Sequence, residues 1–188
     1  MKNLKTISLA ALVAISTISN AQTKKIDASK STISWVAKKI VGQHSGTIAF
    51  KDGALVFKGD KLKGGTFTVD MTKINVTDLK AGEGKEKLEG HLNSADFFGT
   101  DKFTTATLVF KTIADKGNGN YTITADLTIK SITNPITFDL NTDGKTAKTT
   151  LVVDRTKYDI KYGSGSFFQG LGDKAINDNF DLNIALTL

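Results

Sequence analysis

Only two histidines, His44 and His91, stand in this chain, and they are the first residues to weigh for chemistry. Imidazole titrates near neutral pH and can serve as acid, base or metal ligand. A metal centre would need both of them to meet a carboxylate such as Asp70 or Asp154. No fixed-spacing motif joins them, and the absence of cysteine removes thiolate sites, so no metal is expected. Ser164 lies between Gly163 and Gly165, but a nucleophile elbow needs the strand-to-helix turn of an α/β sheet. Nothing here has that pattern, and Ser164 is assigned to a Gly/Ser loop. No residue is expected to be catalytic, and the chain is taken as a non-enzyme. Arg155 is the sole arginine among many lysines. Its rigid planar fork suits a carboxylate or phosphate better than lysine does. Either it pairs with Asp154 and pins strands, or it meets an anionic group of a ligand.

Phenylalanine outnumbers the other aromatics, 11 against three tyrosines and one tryptophan. Two pairs, Phe97-Phe98 and Phe167-Phe168, are adjacent in sequence. Neighbours in a strand face opposite ways, so both members can cover an interior only from a loop or turn. The elements that hold these residues alternate strictly. Ile33, Trp35 and Ala37 share one face, and Phe67, Val69 and Met71 alternate with Thr66, Thr68 and Asp70. Tyr121 to Ile129, Ile136 to Leu140 and Phe180 to Leu188 repeat the pattern. Period two over this many residues places one face in an apolar interior and the other in water. Turns are expected at Asp52-Gly53, at Lys116-Gly117-Asn118-Gly119-Asn120 and at Asp143-Gly144. Between about Lys85 and Ser94, Leu88 and Leu92 stand four apart, the spacing of a short helix that can cap one mouth. The fold class is all-β, with about eight strands and a short helical segment at one end: an antiparallel barrel, with a two-sheet sandwich as its competitor.

The first residues read as an export signal. Lys2 and Lys5 precede an apolar stretch from Ile7 to Ile18, and Ser19-Asn20-Ala21 offers small residues for cleavage after Ala21. The stretch is short of the ~20 residues a membrane span needs. The domains are therefore residues 1–21 as signal peptide and 22–188 as one barrel, expected in the periplasm. Lysine and arginine total 25 against 19 acids. The positives are scattered along the chain, so nucleic acid is not an expected partner, and weak peripheral attraction to anionic lipid is a secondary reading. A homodimer is left open.

Several segments together resemble the YceI-like family, periplasmic lipocalin-like barrels that bind polyisoprenoid or related lipids. They are Trp35 with Gly42-Gln43-His44-Ser45-Gly46, Gly64 to Met71, Leu88 to Phe98, Ala125 to Lys130 running on to Pro135-Ile136-Thr137-Phe138, and Val153-Asp154-Arg155-Thr156. Two departures stand out: no proline in Lys102-Phe103-Thr104-Thr105-Ala106, and Ser131 where the family favours glycine. The resemblance implies an apolar channel holding a long-chain lipid, such as a polyisoprenoid or isoprenoid quinone, with no other cofactor. Channel positions would be Trp35, Phe50, Phe67, Val69, Met71, Leu92, Phe97, Phe98, Leu127, Ile129 and Phe138. The lipid's polar head would meet His44, His91, Asp154, Arg155 and Tyr162. The function implied is binding, transport or storage without catalysis. The alternatives are an enzyme using His44 or His91 as acid or base, and an envelope-stress protein whose barrel is filled by its own side chains.

Overall fold

The computed structural model describes residues 21–188, so the expected leader lies outside the described residues except for Ala21. Among the described residues nine strands are present: β1 (Ala21–Lys25), β2 (Thr32–Lys39), β3 (Gln43–Lys58), β4 (Lys61–Val76), β5 (Thr105–Gly117), β6 (Asn120–Ile129), β7 (Ile132–Thr142), β8 (Thr146–Asp154) and β9 (Ile176–Thr187). One helix, α1 (Lys85–Asn93), joins β4 to β5, and a 3-10 turn (Arg155–Tyr158) follows β8. Strands β2 to β9 each pair with the next, and β9 returns to β2, closing an eight-stranded antiparallel barrel. Closure leaves no open sheet edge in the ring. β1 lies outside it, pairing with Ala54–Lys58 of β3.

The meander sorts the connections into two ends. The β3–β4, β5–β6 and β7–β8 turns emerge at one end, which we call the floor. The β2–β3 turn, α1, the β6–β7 turn and the long β8–β9 connection emerge at the other, the rim. The floor is packed solid. Leu55, Phe57, Leu62, Tyr121 and Ala147 are all buried there, and the Tyr121 hydroxyl accepts a hydrogen bond from the Leu62 backbone N–H at 3.3 Å. Empty space is left to the middle and the rim.

One expected turn is corrected. Asp52-Gly53 is not a chain reversal; β3 runs through it, and the reversal comes at Gly59-Asp60. The pairing with β4 shifts by one residue between Phe50 and Asp52, a bulge that bends the strand. Gly53 is there because the Phe67 ring packs against its Cα, where any Cβ would collide. The sequence signal for a tight turn and for a close approach is the same glycine.

Seam β7–β8 is the weakest in the ring, with three paired positions from Leu140↔Thr149 to Thr142↔Ala147. Beyond them the 3-10 turn fills the gap, and Asn134 donates from Nδ2 to the Lys157 carbonyl at 3.0 Å. Pro135, which has no N–H, sits in this stretch where β7 has a ladder partner on one side only.

The Ser131 departure has a physical consequence. The β6–β7 turn holds both Lys130 (φ 50) and Ser131 (φ 63) in the left-handed region. A side chain there is strained, and glycine is not. Ser131→Gly is expected to raise the unfolding free energy by about 0.5–1 kcal/mol, after its greater unfolded-chain entropy is subtracted. A urea midpoint that stays put or falls rejects this account of the turn.

Candidate functional site

Inward faces of the alternating strands leave two cavities stacked along the barrel axis. The middle one, of about 90 Å³, is walled by all eight barrel strands. The rim one, of about 190 Å³, lies under α1. Ile48, Phe98 and Phe180 line both and form the neck between them. Phe50, Phe67, Val69, Met71, Leu127, Ile129 and Phe138 line the middle cavity, together with Thr107 and Thr149. Rings of Phe50, Phe67, Phe110 and Phe138 follow one another at centroid distances of 6.2, 5.9 and 5.9 Å. Trp35, Leu92 and Phe97 line the rim cavity. Every position named for the channel thus faces one cavity or the other. Leu108, Phe110, Leu182 and Ile184 belong to the same wall and were not named, although the same alternation marks them.

Helix α1 covers the rim cavity because β4 holds it. Glu89 Oε1 accepts from the Val76 backbone N–H at 2.9 Å, and Lys85 donates to Asn75 Oδ1 at 3.0 Å. That leaves Leu88 and Leu92 pointing inward. The turn after the helix does what an adjacent aromatic pair in a loop can do: Phe97 and Phe98 both reach the interior. Phe167 and Phe168 do not; about half of each stays exposed.

Three of the five polar positions, His44, His91 and Arg155, converge on the rim cavity. His44 Nδ1 lies 2.8 Å from Asp78 Oδ2, and Asp78 Oδ1 accepts from the Ser45 backbone N–H at 3.0 Å. Asp78 was not foreseen, since nothing in the sequence ties it to a residue 34 positions away. His91 stands edge-on to Phe97 and Tyr162, with ring centroids at 4.9 and 4.4 Å, and its buried Nε2 has no hydrogen-bond partner. Trp35 Nε1 is likewise buried and unpaired. Its ring lies across Gly46, where a Cβ would sit 2.5 Å from it.

Asp154 and Arg155 part company. Asp154 caps the 3-10 turn, accepting from the Thr156 N–H at 3.0 Å and from its hydroxyl at 2.6 Å. No pair with Arg155 forms. The arginine is 3 % exposed and gives its fork to backbone. Nε donates to the Asn177 carbonyl at 3.0 Å, Nη1 to those of Ile160 and Tyr162 at 2.8 and 2.9 Å, and Nη2 to that of Ile176 at 3.0 Å. Its acid partner is Asp178, at 3.7 Å. Burial works against the Asp178 charge, yet the Ser164 and Ser166 hydroxyls and then Arg155 hold its carboxyl below the usual carboxylate range. Tyr162, half-exposed, covers His91 from outside.

Comparison with protein families matches residues 25–188 to the YceI-like domain. The chain belongs to the YceI-like family. Curated relatives include a UPF0312 protein of Shewanella denitrificans, 36% identical over 94 residues, which are 50% of this chain and 47% of that one. Another, from Shewanella baltica, is 32% identical over 88 residues, 43% of this chain and 46% of its own length. The chain thus spans about half the length of the curated relatives it matches. Solved structures share the fold at lower identity. BcnA of Burkholderia cenocepacia superposes with a TM-score of 0.69 at 21% identity, over 87% of this chain and 99% of its own. A polyisoprenoid binding domain from Saccharophagus degradans, implicated in plant cell wall breakdown, gives 0.60 at 13% identity, over 86% and 95%.

In this YceI-like barrel, the His44–Asp78 contact ties the start of β3 to the segment leading into α1. Burial raises the affinity of Asp78 for its proton, but the Ser45 N–H and then His44 outweigh it and hold the carboxyl below its ordinary value. A depressed folded-state pKa stabilises the fold above the unfolded value and loses that contribution as pH falls through the folded one. Asp78→Asn is therefore expected to cost about 1 kcal/mol at pH 7 and progressively less below pH ~4. Urea midpoints across that range check it; a constant difference between the two proteins rejects the carboxylate's role.

Proposed function

We propose that this YceI-like protein binds one long apolar lipid of the isoprenoid kind without turning it over. The tail occupies the two stacked cavities, and the polar end reaches the rim near Lys39 and His44. The observation that carries the reading is the apolar lining, continuous across the Ile48, Phe98 and Phe180 neck. Burying a chain there is favourable by about 0.8 kcal/mol per CH₂, so tight binding needs few polar contacts. The fold shared with a protein described as a polyisoprenoid binding domain supports the same ligand class. One feature favours binding over catalysis: His91 Nε2 is buried among aromatic rings with no polar partner to exchange a proton with. With Arg155 given over to backbone carbonyls, Lys39 and His44 are the groups left to meet the head. We place the protein in the periplasm on the strength of the leader read at residues 1–21. Native mass spectrometry of protein taken from its own host is the test. A bound lipid of isoprenoid mass is expected. Protein that is empty as isolated, and stays empty after incubation with a polyprenyl phosphate or isoprenoid quinone in detergent, overturns the reading.

A further inference from the structure

Eight large apolar side chains remain exposed among the described residues: Ile40, Val41, Val109, Ile132, Val152, Tyr162, Phe167 and Phe168. Their distribution is lopsided. Ile40 and Val41 form the tip of the β2–β3 turn, at 62% and 63% exposure, and Tyr162, Phe167 and Phe168 lie on the β8–β9 connection. Both connections emerge at the rim. The floor turns, by contrast, are built of Gly59-Asp60, Asn118-Gly119 and Asp143-Gly144-Lys145. A soluble barrel gains nothing from Phe and Ile at loop tips, and clustered apolar exposure marks a contact surface.

The tips are held in place. The Ile40 N–H donates to the Ala175 carbonyl at 3.1 Å, joining the two connections. Ser164 is fully buried at the base of the longer one, and its carbonyl accepts from the N–H groups of Phe167 and Phe168 at 3.2 and 3.0 Å. Ser166 then fastens the loop to Asp178 by a 2.5 Å hydrogen bond. The rings are thus projected outward by a built loop. Lysines accompany them: Lys39 precedes Ile40, Lys174 closes the loop, and Lys161 Nζ lies 5.2 Å from the Phe167 ring centroid. Such side chains lay their stems on apolar surface and keep the ammonium among head groups.

We propose that the rim docks on a lipid bilayer, with Ile40, Val41, Phe167 and Phe168 entering the boundary between head groups and acyl chains. Two points select a bilayer over a second copy of the chain. The apolar groups sit on separate projecting tips rather than on a flat patch of the ~800 Å² per partner that a stable protein interface needs. Tips of Phe and Ile bracketed by Lys have the composition of interfacial membrane anchors. Continuity with the cavity is the third point, and it rests on the lipid-binding reading. The rim cavity is lined by Lys39, Ile176 and Asn177, at the bases of both connections, so docking sets its mouth against the phase where a water-insoluble ligand resides.

Flotation with vesicles of phosphatidylethanolamine and phosphatidylglycerol, free of isoprenoid, tests the proposal. The wild-type protein is expected to float. The pairs Phe167→Asp with Phe168→Asp, and Ile40→Asp with Val41→Asp, should each lower the bound fraction roughly tenfold, while Val152→Asp on the barrel wall should not. All these residues are exposed, and circular dichroism is the check that each variant folds. A parallel arm measures uptake of a polyprenyl lipid from detergent micelles, which the tip variants should retain. Wild-type protein that does not float, or tip variants that float equally well, overturns the docking. Tip variants that dissociate a dimer in light scattering without changing flotation overturn it in favour of self-association. Failure of the lipid-binding reading shows separately, as empty protein in the micelle arm whatever the flotation result.

Discussion

Replacing Arg155 by alanine is expected to lower the unfolding free energy by about 3–5 kcal/mol, the range for removing one partner from a buried charged network. The side chain is 3 % exposed and donates to four backbone carbonyls, those of Ile160, Tyr162, Ile176 and Asn177. Ile160 and Tyr162 lie in the first part of the long β8–β9 connection, and Ile176 and Asn177 open β9, so one guanidinium ties the connection's entry to its exit. Without it the carbonyls lose their donors, and the Asp178 carboxylate loses the cation 3.7 Å away. Unpaired buried polar groups carry their full desolvation cost. Phe97 also loses the cation 5.8 Å from its ring centroid. Arg155→Lys keeps a charge but cannot reach four carbonyls from one ammonium, so it should recover only a minor part. Guanidinium midpoints of the three proteins decide the matter. A midpoint for Arg155→Ala within error of the wild type refutes this role and returns the arginine to ligand contact.

That role also marks where sequence reading stops. The inward residues were legible because a half-buried strand writes its orientation into every second position. Trp35, Val69, Leu127 and Phe138 all face the cavities for that reason. Helix α1 was legible too, because Leu88 and Leu92 stand four apart in a stretch without alternation. Partners distant in sequence were not. Asp154 is adjacent to Arg155 and looks like its counter-ion, yet the 3-10 turn consumes the aspartate as a cap, and the arginine folds back toward residues 160–178. Asp78 meets His44 only because the long β3–β4 hairpin brings the end of β4 beside the start of β3. Asp52-Gly53 shows the converse error. A local turn signal was overridden by the packing of Phe67, which needs the glycine's empty side and leaves β3 unbroken.

Whether the interior is an open channel or a filled core has the same composition either way, and a single small residue separates the two. Ala106 lies on β5 opposite Val69, is 6 % exposed and lines the middle cavity. Ala106→Trp should place an indole in a space of about 90 Å³ and occupy it. Affinity for a polyprenyl lipid is then expected to fall roughly a hundredfold, equivalent to about 2.7 kcal/mol of lost tail burial. Stability should change far less than a misfold would require, since overpacking costs about 1–3 kcal/mol and filling an existing void offsets part of it. Val152→Trp, on the outer wall, serves as the control of equal size and should bind as the wild type does. Titration of each protein with a fluorescent polyprenyl analogue separates the outcomes. If Ala106→Trp folds and binds with unchanged affinity, the lipid does not pass the neck formed by Ile48, Phe98 and Phe180, and the rim cavity alone holds it. A large loss confined to Ala106→Trp instead places the tail in the middle of the barrel, where the Phe50, Phe67, Phe110 and Phe138 rings line its path.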